Sequence, residues 1–137
     1  MPYTELMVRD PLRKEVGRLG EEVAAQFLER RGFKVLARNY RKPWGEIDII
    51  AEKKGIVHFV EVKAVSRESF PADGSREKDG YRPEEQVHPT KLAKVSRTAE
   101  LYMANTDDDR EFQIDVVGVF LDMKNRKAQC RILEQVL

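Results

Sequence analysis

A chain of 137 residues with 25 basic and 24 acidic side chains, 36% charged and 41% hydrophobic, is sized for one domain around a single core. Its uninterrupted apolar runs are only a few residues long, far below the roughly 20 that cross a bilayer, and a lone cysteine, Cys130, excludes an internal disulfide framework. Residues 1–7 lack the apolar stretch of a secretory leader, so a cytoplasmic protein with no membrane partner is expected.

Residues 1–14 read as a flexible N-terminal arm ahead of a single domain over 15–137. Val16, Leu19, Val23, Phe27 and Leu28 recur at helical spacing, and Gly32 is a good stop. Strand formers then fill residues 33–40, 44–51 and 55–65, the last two joined by the turn Glu52-Lys53-Lys54-Gly55. Residues 66–87 hold two prolines, two glycines and many charges, and read as a long, mobile loop inserted beside the site. His88-Pro89-Thr90 opens a second helix with Leu92, Val95, Ala99, Tyr102 and Met103 on one stripe. Two strands follow, over 111–121 and about 128–136. The order helix-strand-strand-strand-helix-strand-strand predicts an α/β domain.

The most informative local pattern is Gly45-Glu46-Ile47-Asp48, followed by Glu61-Val62-Lys63 on the next strand. Residues two apart on a strand share a face, so Glu46 goes with Asp48 and Glu61 with Lys63. Pairing the strands gathers two or three carboxylates and one ammonium on one patch of sheet. Carboxylate oxygens suit Mg²⁺ or Mn²⁺. A lysine beside such an ion can orient a water or offset charge on a phosphate. That is chemistry suited to phosphodiester hydrolysis.

Charge is unevenly spread. Between Arg9 and Lys42 ten basic residues, Arg18, Arg38 and Arg41 among them, face five acids, and Lys91, Lys94 and Arg97 add a second basic group. Basic segments around an acidic cluster suit a polyanion held over a metal, although solvated helix faces explain the same counts.

Taken together, the helix, the three strands with Asp-x12-Glu-x-Lys on the second and third, and the following helix and strand resemble the core of PD-(D/E)xK nucleases. Ile47-Asp48 stands where that superfamily usually has Pro-Asp. The strings Gly17-Arg18-Leu19-Gly20-Glu21-Glu22-Val23-Ala24, Leu28-Glu29-Arg30-Arg31-Gly32-Phe33, Ala37-Arg38-Asn39-Tyr40, Gly45-Glu46-Ile47-Asp48, Phe59-Val60-Glu61-Val62-Lys63 and Phe112-Gln113-Ile114-Asp115-Val116-Val117 resemble the bacterial YraN, or UPF0102, family. Two departures concern the surroundings of the motif. Ala64 and Val65 precede Ser66-Arg67 where the family usually continues with Thr and Arg, and the stretch 71–87 is longer.

The resemblance implies a restriction-endonuclease-like core around a central mixed sheet and a Mg²⁺- or Mn²⁺-dependent nuclease acting on DNA, more than on RNA, in branched or processed structures. The alternative is a non-catalytic nucleic-acid-binding protein that retains the fold. Glu21, Asp48, Glu61 and Lys63 become the candidate catalytic set, with Asp48, Glu61 and Glu21 as metal ligands and the Val62 carbonyl as an extra donor. Lys91, Lys94, Arg97, Arg38 and Arg41 become candidate nucleic-acid contacts, and a homodimer would match a two-fold junction.

Each residue also has a plainer reading. Lys63 could form an ion pair with Glu61 or Asp48, and Glu46 could be a surface acid near a turn. At about 100° per residue, Glu21 lies within roughly 20° of Leu28 and leans toward the core, whereas Glu22 falls on the polar face. Lys91 and Lys94 either meet a phosphate at the helix opening or stay solvated. His58 is expected to be packed, His88 to cap the second helix, and Tyr102, Met103 and Phe120 to lie in the core. Cys130 is expected to be inert.

Overall fold

A computed structural model describes residues 3–7, 16–66 and 81–137. It has a six-stranded mixed sheet and two helices, compatible with a restriction-endonuclease-like core. The elements are β1 (Thr4–Met7), α1 (Val16–Arg30), β2 (Lys34–Lys42), β3 (Gly45–Lys53), β4 (Ile56–Ser66), a 3₁₀ turn (Pro83–Glu85), α2 (Pro89–Asn105), β5 (Phe112–Asp122) and β6 (Lys127–Leu133). Their order across the sheet is β1-β6-β5-β4-β3-β2, and among the described residues β4 with β5 is the one parallel pair.

The helices cover opposite faces. Leu19, Val23, Ala24, Phe27 and Leu28 of α1 pack on Ile49, Val60, Val117 and Val119. Val95, Ala99 and Met103 of α2 pack on Ile47, Ile50, Val57, Phe59 and Ile114. With both faces covered, residues 57–61 of β4 and 114–122 of β5 are buried without a break, as expected of central strands. Among the described residues, no helix is long and apolar enough to cross a membrane.

Local chemistry sets the boundaries. Helix α1 stops because Gly32 takes φ +89°. Its N–H then reaches the Glu29 carbonyl, and the Phe33 N–H reaches that of Leu28, both at 3.0 Å. Lys54 and Gly55, both at positive φ, form the two-residue turn that matches strand twist and fixes the β3–β4 register. His88 caps α2, its Nδ1 accepting from the Thr90 N–H at 3.1 Å. Gly20 brings α1 onto β4 so closely that a Cβ there would stand 2.4 Å from that of Ala64.

Two expectations change. Part of the supposed arm is the edge strand β1, which pairs with β6 from Thr4–Cys130 to Met7–Lys127. Four residues are too few to show an alternation. The end of the supposed loop is firmly held: Glu84 is 2% exposed and receives the Tyr3 hydroxyl at 3.2 Å. Arg131 lies 3.7 Å from the same carboxylate, and Gly118 leaves the space that Glu84 fills. Residues 8–14 of the arm and 67–80 of the loop lie outside the described residues.

Candidate metal centre at a strand fork

The β3–β4 ladder runs from the turn to Ile49–Val60 and then stops. The next residues along each strand are Asp48 and Glu61, at the mouth of a fork. Asp48 takes over from the lost ladder: its Oδ2 accepts the Val62 N–H at 2.8 Å. Phase also slips here. Ile47 packs on the α2 side and Ile49 on the α1 side, although they are two residues apart. Strict alternation therefore does not carry Glu46 along with Asp48, contrary to the parity expectation. Glu46 is exposed and ion-paired to Arg41 at 2.7 Å.

Asp48 and Glu61 face each other. Glu61 is 4% exposed, and its carboxyl is pushed up to about 9, first by burial and then by the hydrogen bond and charge of Asp48. Lys91 Nζ, 3.3 Å from Glu61 Oε2, pulls the other way. The ion pair foreseen for Lys63 is thus made by Lys91. The first turn of α2 packs over the end of β4, which no local pattern could reveal. Asp48, Glu61 and Lys63 line a cleft of about 330 Å³ with Gln86, Val87, His88 and Lys91. The end of the long connection therefore borders the carboxylates.

Glu21 approaches from the α1 side and is half-buried, whereas Glu22 is exposed. Its carboxyl is raised by burial and by the charge of Asp48, against the pull of Arg38 and Arg41. It also lines a second cavity, of about 670 Å³, with Gly17, Arg18, Arg38, Asn39 and Arg41. Lys94 and Arg97 remain exposed on α2. The structure therefore brings Asp48, Glu61, Lys63 and Lys91 to one cleft, with Glu21 adjoining it. Arg38 and Arg41 belong to the neighbouring cavity.

A second polar group went unforeseen. His58 Nδ1 lies 2.6 Å from Asp115 Oδ2, both buried, and ligand atoms of His58, Asp115 and Glu134 fall within 4.8 Å of one another. Here, however, the carboxylate is satisfied. Asp115 Oδ1 accepts from Gln113 Nε2 at 2.8 Å and from the Gln135 N–H at 2.9 Å. Phe33 meets the His58 ring edge-on. This is an internal strap that ties the C-terminal segment to the sheet. Its partners lie 57 residues apart, so only the parallel register joins them. Cys130 is buried, and burial raises its thiol, in keeping with an inert group.

The profile described as "Uncharacterised protein family UPF0102" matches residues 20–119. A UPF0102 protein of Dictyoglomus thermophilum is 35% identical over 114 residues, covering 82% of this chain and 88% of that protein. One of Campylobacter jejuni is 36% identical over 107 residues, covering 78% and 85%. One of Campylobacter fetus is 37% identical over 100 residues, covering 73% and 79%. With two helices enclosing a mixed sheet whose fork carries Asp48 and Glu61, and with this likeness along most of its length, the chain belongs to the UPF0102 family.

Proposed function

We propose that the protein is a Mg²⁺- or Mn²⁺-dependent nuclease that hydrolyses phosphodiester bonds in DNA. The observation that carries this reading is the pair of facing carboxylates at the fork, one of them almost fully buried. Two such groups without enough counter-charge disfavour the folded state, and a shared divalent cation relieves that cost. The donor set fits a hard cation: oxygen atoms of Asp48 and Glu61, with Glu21 adjoining, while the imidazole of His88 on the cleft wall is engaged in capping α2. When bound there, the ion supplies Lewis acidity toward a phosphodiester.

The remaining chemistry belongs to the chain. The Val62 N–H fixes one oxygen of Asp48, so that carboxylate is oriented in advance. Lys63 carries three donors and no acceptor, which suits it to orient an attacking water or offset phosphate charge. Lys91 pairs with Glu61 and can turn toward a phosphate once that carboxyl has another partner. Lys94 and Arg97 extend the positive potential along α2 toward the polyanion.

The test is cleavage of supercoiled, single-stranded and four-way-junction DNA with Mg²⁺, with Mn²⁺ and with EDTA. Metal-dependent cleavage that disappears in Asp48→Asn supports the nuclease. Binding without cleavage under every condition leaves the non-catalytic reading in its place.

A further inference from the structure

Arg38 and Arg41 are three residues apart on β2, a spacing that normally sends side chains to opposite faces of a strand. Between them Asn39 adopts φ +51°, a left-handed conformation uncommon inside a strand. That residue breaks the alternation. As a result both arginines, with Arg18 from the first turn of α1, line one cavity of about 670 Å³. The wall is open beside Gly17, where a Cβ would meet nothing within 4 Å.

Among the described residues of its lining, Glu21 stands beside three guanidiniums, of which Arg41 is also paired with Glu46 from outside the lining. Glu21 also feels the charge of Asp48, which lines the carboxylate cleft, so the cavity lies beside that cleft. Clustered guanidiniums match phosphate oxygens in pairs, whereas ammonium groups act as point charges. A strained backbone that gathers arginines next to a candidate reaction centre suggests a ligand-binding purpose.

We propose that this cavity seats a phosphate group of the same nucleic-acid strand whose scissile bond lies against Asp48 and Glu61, and so sets where along the strand the cut falls. The proposal rests on the nuclease reading for its second half, but the phosphate site itself does not. The phosphate could be an internal diester or a terminal monoester.

The experiment uses the full chain and a fluorescein-labelled single-stranded 15-mer, once with a 5′-phosphate and once with a 5′-hydroxyl. Anisotropy is read without divalent ions over a series of salt concentrations. Arg38→Ala and Arg41→Ala are compared with Lys34→Ala, which removes an equal charge from the far end of the same strand, where Lys34 is solvent-exposed. Each arginine variant should bind about tenfold more weakly, with a salt slope smaller by about one, while Lys34→Ala stays within about twofold of the native chain. Losses confined to the 5′-phosphate arm assign a terminal monoester, and equal losses in both arms assign an internal diester; either supports the site. Arginine variants no weaker than Lys34→Ala, or no binding by the native chain, overturn it. Native binding that depends on the arginines but brings no Mn²⁺-dependent cleavage of the same oligonucleotide overturns the nuclease reading alone.

Discussion

The β3–β4 hairpin buries polar groups at both of its ends, with opposite results. Near the turn, Asp115 of β5 meets His58 of β4 and has three donors for its two oxygens. At the fork, Asp48 and Glu61 meet each other, with one backbone N–H and one lysine to share. The first arrangement resembles what a folded core does with any carboxylate it must enclose. The second sets two acids against each other and holds the Glu61 carboxyl up at about 9, the kind of perturbation that clusters at functional sites. Burial alone therefore does not mark a site; an acid whose proton is held up by burial and by a neighbouring acid is the stronger pointer.

The largest expected effect would come from breaking the fork. Asp48→Asn should lower Mn²⁺-dependent cleavage by about 10² or more and weaken Mn²⁺ binding, because an amide is a poor ligand for a hard dication. Lys63→Ala should lower cleavage to a similar degree, about 10², with Mn²⁺ binding largely kept, since an ammonium cannot ligate. Calorimetric titration beside a nicking assay separates the two. Full activity in Lys63→Ala would remove it from the machinery.

Breaking the strap should instead affect stability. Asp115→Ala strands His58 and two further donors, and a loss of about 3 kcal/mol is expected from urea unfolding. Mn²⁺ affinity measured on the folded fraction should be unchanged. A large drop in that affinity would mean that the two ends are not independent.

Glu61→Gln sharpens the contrast through pH. A carboxyl raised to about 9 in the folded protein holds its proton there more tightly than in the unfolded chain. The native, metal-free protein should therefore lose stability as pH climbs from about 4.5 to 9. Glu61→Gln has no proton to lose, so it should be more stable by about 2 kcal/mol at pH 7 and gain nothing below about pH 4.5. Denaturation in EDTA at pH 4.5, 7 and 9 checks this. A gain that does not change with pH would mean that neither burial nor Asp48 holds the Glu61 carboxyl up.

The smallest effect concerns the support of the site. Gly20→Ala should cost about 1–2 kcal/mol by pushing α1 off Ala64, and Ala64→Gly in the same chain should recover part of it. Melting temperatures of the single and double variants test the coupling, and purely additive losses would argue against that contact.

Much of this was legible in the sequence because it is periodic. The apolar stripe of α1, the strand formers of β2 and the cap at His88 are local signals, and each produced its element, although a register shift between Val35 and Ala37 sends those two side chains to different clusters. The preference for Glu21 over Glu22 followed from the same helical geometry. What escaped reading was non-local. Strand β1 is defined by its partner β6, Glu84 is buried because Gly118 on β5 lacks a side chain, and Lys91 reaches Glu61 through packing of α2. The phase slip at Asp48 was hidden as well. It accompanies the left-handed Asn39 between Arg38 and Tyr40, whose partners are Ile49 and Ile47, and side-chain alternation carries no record of backbone handedness.

One amide is a reporter for the whole fork. The Val62 N–H is held by a carboxylate rather than by a neighbouring strand, so its resonance frequency follows the charge and direction of Asp48. Anything that reorients that carboxylate moves one peak in a nitrogen-proton spectrum, while the ladder amides at Ile49 and Val60 stay still. Occupancy of the fork can thus be read from a single backbone probe, without labelling a side chain and before any substrate is known.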